Sequence, residues 1–166
     1  MEILAIFTCH NRRELTKRGI ETLSRNENVT FHYVVVDDGS TDGTKEMLQE
    51  LPEQIDIVEG DGNLFWNRGM YEGIEYVKKK YPDYAYYMLM NDDTKFFPGI
   101  FDKMLPSLDG KSVLVGAICG EQGELSYGGI KYVKGIRYKK YGPEQSDMLF
   151  DTFNANCALI PHDIFM

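Results

Sequence analysis

The chain has 166 residues, 43% of them hydrophobic, and carries a formal net charge of -8 with an isoelectric point near 4.9. That length suits one domain with a sizeable core, and the acidic field argues against both a non-specific nucleic-acid binder and a basic membrane-surface protein. Three cysteines, Cys9, Cys119 and Cys157, are odd in number, far apart and without metal-ligand spacing, which predicts reduced core thiols of a cytosolic protein. Met1 and Glu2 run straight into apolar sequence, which predicts no signal peptide, and no apolar run is long enough to predict a membrane span.

Ile3 to Phe7 is a continuous apolar run of strand length, ending in the polar string Thr8-Cys9-His10-Asn11-Arg12-Arg13. Asn11 is a candidate N-cap answered by Glu14 as a capping box, and the helix it opens runs to about Ser24 with Leu15, Ile20 and Leu23 inward. His32 to Val36 is a β-branched second strand that ends in Asp37-Asp38-Gly39-Ser40-Thr41-Asp42-Gly43-Thr44. Ser40 or Thr41 would cap the next helix, which turns Met47, Leu48 and Leu51 inward and stops at Pro52. Ile55 to Val58 makes a third strand, and Glu59 to Asn63 a loop. From Leu64 a helix runs to about Lys80, with glycines at its start that let backbone or ligand approach and N–H groups that favour an anion. Tyr84 to Met90 is a buried fourth strand that stops on Asn91-Asp92-Asp93.

Three strand and helix alternations predict a mostly parallel sheet covered on both faces. Beyond Asp93 the alternation fades. Pro98 to Leu105 suggests a short helix opened by proline, and Ser112 to Cys119 an apolar strand. The Gly- and Tyr-rich stretch from Leu125 to Tyr138 reads as strand and loop, Phe153 to Pro161 as one more strand, and the chain halts at Met166 as a helix starts, the expectation for a fragment.

In a doubly wound sheet the ends of the first, second and fourth strands converge on one crevice. Adjacent carboxylates repel, and a cation relieves them; oxygen-only ligands suit Mg²⁺ or Mn²⁺ held by one or two carboxylates and substrate phosphates. Asn91, Asp92 and Asp93 therefore point to a metal-bridged nucleotide, and Asp37 and Asp38 to hydrogen bonds with a base or ribose. Taken alone, Asn91-Asp92-Asp93 is equally well explained as a polar turn, and Asp37-Asp38 has the rival reading of a charged helix start; two acidic ends at one sheet edge make coincidence harder. Trp66 lies in the Gly/Asn loop, where an exposed indole can stack on a ring, and Arg68 either neutralises a phosphate or lies along the surface. His10 has no partner nameable from spacing, His32 and His162 read as structural or exposed, and Lys78 to Lys80 as a solvated helix end.

Together these stretches resemble the GT-A fold glycosyltransferases, most closely family 2 and its rhamnosyltransferase-like bacterial members. Ile3 to Asn11 resembles the opening strand and nucleotide loop, Val34 to Thr44 the second-strand signature, Gly62 to Ile74 the Asn/Gly-rich segment, and Asn91-Asp92-Asp93 stands at the Asp-x-Asp metal motif. The resemblance implies an α/β, Rossmann-like GT-A fold over residues 1–166, with a nucleotide-binding half at 1–95 and the start of an acceptor-side half at 96–166. By it, Thr8 and Asp38 contact the base, Asp37 supports the loop, Asp92 lies near ribose and sugar, and Asp93 is the metal ligand; Asn11, Asn63, Trp66, Arg68 and Asn91 complete the nucleotide-sugar set. Asn91 departs from the motif's first acid and Met70 from an arginine common before the Gly73-Ile74 turn.

The implied activity is a metal-dependent, inverting transfer of a sugar from a nucleoside diphosphate to a saccharide or lipid-linked saccharide acceptor in surface polysaccharide or lipopolysaccharide synthesis. It would take place in the cytoplasm at the inner face of the membrane, with contact through the acceptor. In this family the general base lies in an acidic motif downstream of the strand that Phe153 to Pro161 resembles, so no catalytic base is named. The rivals are a fragment that binds a nucleotide sugar without transferring it and a sugar nucleotidyltransferase, against which stands the lack of a Gly-rich basic loop after the first strand.

Overall fold

The computed structural model describes residues 1–120, 122–133, 137–142, 144 and 148–166. Its centre is a six-stranded sheet in the order β3-β2-β1-β4-β10-β5, made from β1 (Glu2–Cys9), β2 (Thr30–Asp37), β3 (Gln54–Glu59), β4 (Tyr86–Met90), β5 (Leu114–Val115) and β10 (Cys157–Pro161). β1 pairs in parallel with both β2 and β4, and β2 with β3. Only β10 runs the other way, antiparallel to β4 and β5. The continuous apolar runs of β1 and β2 have a direct cause: a central parallel strand is covered on both sides, so every side chain from Ile3 to Phe7 is buried.

Alternation along those strands divides the core in two. Ile3, Ala5, Phe7, Phe31, Tyr33, Val35, Met88 and Met90 meet Ile20 and Leu23 of α1 (Arg13–Ser24), Met47 and Leu48 of α2 (Thr44–Glu50) and Phe101 and Met104 of α4 (Ile100–Met104). Leu4, Ile6, Val34 and Tyr87 meet Met70 and Val77 of α3 (Phe65–Lys80) and Phe165 of α5 (His162–Phe165). Each Val, Leu, Ile, Phe or Met side chain among them contributes roughly 1.5–3 kcal/mol when taken fully from water. Helices thus cover both faces.

Several boundaries differ from the sequence expectation. Leu15 is only half-buried, and Thr16 and Gly19 are buried beside Ile20 and Leu23; at Gly19 the backbone after β4 leaves no room for a side chain. The apolar stretch 112–119 splits: β5 joins the main sheet, while β6 (Ile118–Cys119) pairs with β7 (Leu125–Tyr127). β8 (Gly129–Val133) and β9 (Arg137–Tyr141) form a hairpin; residues 134–136 of the expected 125–138 segment lie outside the described residues. The expected strand from Phe153 begins only at Cys157, and α4 opens at Gly99, in the left-handed region, and not at Pro98. Cys9 and Cys157 are buried thiols as expected, whereas Cys119 is exposed; all three are free. His32 is fully buried. Lys80 is not merely solvated: it bonds Asp56 at 3.0 Å and lies over the rings of Tyr76 and Tyr81. No helix among the described residues is long and apolar enough to cross a membrane.

Candidate functional site

Strand order proceeds outward from β1 through β2 to β3 on one side and starts again with β4 on the other, so the topological switch point lies between β1 and β4. Open α/β sheets bind ligands outside the carboxyl ends of the strands at this point. β1 delivers Thr8 to Arg12 there, β4 delivers Asn91 to Asp93, and β2 ends beside them in Asp37 and Asp38.

Arg12 joins the two sides. Its Nη1 donates to Asp92 Oδ1 at 3.1 Å and to Asp93 Oδ2 at 3.0 Å. The two carboxylates differ in setting: the Asp92 side chain is 8% exposed and that of Asp93 44%. Asp92 Oδ2 is buried with no hydrogen-bond partner among the described residues. Burial pushes the Asp92 carboxyl above the ordinary carboxylate range, Arg12 pulls it back and Asp93 pushes it up again. A divalent cation fits this donor set. Asp93 offers an accessible carboxylate and Asp92 an unpaired oxygen, while no three acidic, histidine or cysteine side chains among the described residues gather round one point. Mg²⁺ or Mn²⁺ held there would draw its other ligands from phosphate and water, the usual manner for Mg²⁺.

On the other side of β1, the acidic pair closes two loops. Asp37 Oδ1 accepts from Ser40 N at 3.1 Å. The Asp38 carboxylate accepts three backbone N–H groups, from Gly62 at 2.8 Å, Leu64 at 2.9 Å and Phe65 at 3.0 Å. The anion expected at the start of α3 is therefore the protein's own Asp38. Two of these bonds hold Phe65 at φ 53°, a left-handed conformation that costs a bulky L-residue roughly 1–2 kcal/mol. Phe65 is nonetheless 79% exposed. Thr8 is buried and donates its hydroxyl to Val36 O at 3.1 Å. α3 crosses directly over it, because Gly69 has no side chain: a Cβ there would stand 2.5 Å from Thr8 Oγ1.

Trp66 lies in the first turn of α3 and not in the loop, yet it remains 47% exposed. Its indole Nε1 donates to Asn91 Oδ1 at 3.1 Å, tying α3 to the end of β4. Asn63 is exposed and folds back on Asp61. Arg68 is bonded to Glu72 at 2.8 Å with its guanidinium over the Tyr71 ring, and makes no bond to either acidic pair among the described residues.

The expected caps are replaced by a cross-loop latch. Asn11 takes φ 52°; its N–H donates to Ser40 Oγ and its Oδ1 accepts from Thr41 N. Arg12, with no side-chain cap bond, stands at the N-cap of α1. Asp42 serves two helices, accepting from Arg13 N at the start of α1 and from Thr44 N at the start of α2; the Thr44 hydroxyl, which also donates to it, and then these backbone bonds hold its carboxyl below the usual range. His10 Nδ1 meets the Asp38 carbonyl, so it braces the β1 and β2 ends. Arg12 and Asp42 went unassigned in the sequence, and Ser40 and Thr41, expected to cap the second helix, bond Asn11 instead. Arg12 had one signal: two acidic strand ends at one edge need a cation, and the end of β1 supplies one.

A doubly wound sheet with paired acids at its switch point defines an open α/β protein whose ligand crevice would lie at the ends of β1 and β4. The chain belongs to glycosyl transferase family 2, whose sequence model matches residues 5–160. No curated protein sequence matches it significantly. Among solved structures it is similar to a mannosyltransferase from Pyrobaculum calidifontis in complex with GDP-Man and Mn²⁺, at 13% identity and a TM-score of 0.63, over 96% of this chain and 44% of that one. It is also similar to residues 1–349 of TarS from S. aureus, at 17% identity and a TM-score of 0.61, over 75% of this chain and 37% of that one, and to the same protein in complex with UDP-GlcNAc. At these identities the likeness carries the fold, which is GT-A. The chain spans less than half the length of these structures.

Proposed function

We propose that this chain carries the donor site of a metal-dependent inverting glycosyltransferase that moves a sugar from a nucleoside diphosphate to a hydroxyl of a saccharide or lipid-linked saccharide, in surface polysaccharide or lipopolysaccharide synthesis at the cytoplasmic face of a membrane. The observation that carries this reading is the meeting of Asp92, with its unpaired buried oxygen, and accessible Asp93 at the β1/β4 switch point. Family membership supports glycosyl transfer, and the Mn²⁺ and nucleotide sugars of the similar structures support the donor class.

Asp93 would hold Mg²⁺ or Mn²⁺, with Asp92 beside the ribose and sugar. The bound cation would supply charge stabilisation to the departing diphosphate. Thr8 would contact the base, with Asn11 and Asp37 supporting the loops around it; Asp38, expected at the base, has its carboxylate taken by three backbone N–H groups and would act by fixing the loop that carries Asn63 and the first turn of α3 with Phe65 and Trp66. Trp66, steadied by Asn91, would offer its exposed face to a ring, and Arg68 would reach a phosphate only by leaving Glu72. Residues 1–95 would form the nucleotide half and 96–166 the beginning of the acceptor half. No catalytic base is assigned.

The test is calorimetric titration of UDP-, TDP- and GDP-sugars with Mn²⁺ and with chelator, on this chain and on Asp93→Ala. Metal-dependent binding of one nucleotide that the variant loses supports the reading; no binding in any condition ends it. Product analysis then separates the alternatives, since transfer yields a glycosylated acceptor, a binding fragment yields nothing and a nucleotidyltransferase yields pyrophosphate.

A further inference from the structure

Arg12 reaches across the switch point with a single nitrogen. Nη1 alone makes both contacts, 3.1 Å to Asp92 Oδ1 and 3.0 Å to Asp93 Oδ2, and does not form the two-pronged fork that makes arginine–carboxylate pairs strong. The side chains of Arg12 and Asp93 are 47% and 44% exposed, and exposed ion pairs hold weakly. One positive charge faces two negative ones, and Asp92 Oδ2 remains buried with no hydrogen-bond partner among the described residues. The site is therefore under-neutralised in a way that one guanidinium cannot mend.

The backbone beneath Arg12 is fixed independently of this ion pair. Its carbonyl accepts from Thr16 N at 2.9 Å, Asn11 on one side is latched to Ser40 and Thr41, and Arg13 N on the other donates to Asp42. Only the side chain has to move for the carboxylates to be released.

We infer that Arg12 is the resident counter-cation of the Asp92–Asp93 pair, that it competes with a divalent metal for these carboxylates, and that on release it turns to the diphosphate of the donor. This rests on the donor-site reading above. Arg12 acts as a positioning residue: it keeps the two acids together in the free chain, excludes adventitious cations, and becomes available to phosphate oxygens, for which a guanidinium fork is well shaped, only when metal and nucleotide arrive together.

The experiment measures Mn²⁺ binding without nucleotide, from the electron paramagnetic resonance signal of free Mn²⁺, in the unaltered chain, Arg12→Gln, Arg12→Lys and Asp93→Asn. Arg12→Gln is expected to bind Mn²⁺ about tenfold more tightly than the unaltered chain, the scale of one lost charge-assisted contact, Arg12→Lys to stay near the unaltered value, and Asp93→Asn to bind none. Arg12→Gln should at the same time bind UDP, TDP or GDP with Mn²⁺ about tenfold more weakly. Thermal melts establish that each variant is folded. Arg12→Gln binding Mn²⁺ no more tightly than the unaltered chain overturns the inference, as does failure of every folded form to bind Mn²⁺. If Arg12→Gln gains Mn²⁺ affinity while no form binds a nucleoside diphosphate, the competition stands and the donor-site reading falls.

Discussion

Gly19 of α1 lies so close to the strand end that carries the acidic pair that a Cβ on it would stand 2.7 Å from the carbonyl oxygen of Asp92. That neighbour is backbone, so it cannot swing aside as a side chain would. Thr22, one turn further along the same helix, accepts Phe96 N at 3.2 Å through its hydroxyl, so α1 and the segment after β4 form one packed unit. Gly19→Ala should lower stability by about 1–3 kcal/mol, the usual range for overpacking, and weaken metal-dependent nucleotide binding by displacing Asp92 and Asp93. Urea melts and calorimetry on the same preparation check both; a loss of stability with unaltered binding would separate the helix from the site.

Asp38 is expected to matter for architecture before it matters for recognition. Asn at this position keeps one accepting oxygen but sets an NH₂ group against backbone donors now held by a carboxylate. Asp38→Asn should cost about 2–4 kcal/mol, since buried donors left unpaired cost about 1–3 kcal/mol each and bonds to charged groups are the stronger ones. Hydrogen exchange should report it first at Gly62, Leu64 and Phe65, whose N–H groups Asp38 now accepts.

Asp92 should behave in the opposite manner. Its carboxyl is held above the ordinary range chiefly by burial, so the folded state takes up a proton before the unfolded state does, and the charged form costs stability at neutral pH. Asp92→Asn should leave the melting temperature at pH 7 unchanged or higher, while metal-dependent nucleotide binding falls at least tenfold, the scale of one charge-assisted contact. A variant destabilised at pH 7 would mean that the Arg12 contact outweighs the burial.

His32 sets the acid limit of the fold. It is fully buried in β2, its Nδ1 paired with the Tyr84 hydroxyl at 2.8 Å and its Nε2 without a hydrogen bond among the described residues but 3.9 Å from Asp56 Oδ2. Burial pushes its pKa down, Asp56 and Glu2 oppose this and Lys80 adds to it. The unfolded histidine therefore binds a proton first, and stability should fall as pH drops below about 6.5 toward the lower folded value. Asp56 has its own, lower window. Burial pushes it up, but bonds from Tyr81, Lys80 and Tyr76 outweigh that and hold its carboxyl below the usual range, so its contribution is lost only in stronger acid. Melts from pH 7.5 to 5.0 should slope downward for the unaltered chain and be flatter for His32→Gln, which is less stable overall; equal slopes would assign the titration elsewhere.

The sheet was legible because a strand buried on both faces has to be apolar throughout, and Ile3 to Phe7 and Tyr33 to Val36 obey this without help from distant partners. The acidic strand ends were legible for a related reason, since the apolar runs break abruptly at Asp37 and Asn91. What the sequence hid is tertiary. A Ser/Thr/Asn/Asp cluster announces caps but not their targets, and here Asn11 reaches across to Thr41 while Asp42 reaches back to Arg13. Arg12 looked like one of two adjacent bases until the fold set it opposite β4. Beyond Asp93 the strands are short and their partners remote, so local pattern carried little: residues 112–119 fit one strand by composition and became parts of two sheets.

The antiparallel insertion of β10 between β4 and β5 also fixes an order of assembly. Everything that surrounds the acidic pair except β10 is encoded before residue 100, yet the outer edge of β4 has no partner until Cys157 to Pro161 arrive. During synthesis the apolar segment Tyr86–Met90 therefore presents an open strand edge, the kind of surface that templates aggregation, and closing it is a long-range pairing of the slow class. A chain released before Cys157 would carry the acidic strand end intact on a sheet with a raw margin, and its failure in the cell would be one of solubility before it was one of chemistry.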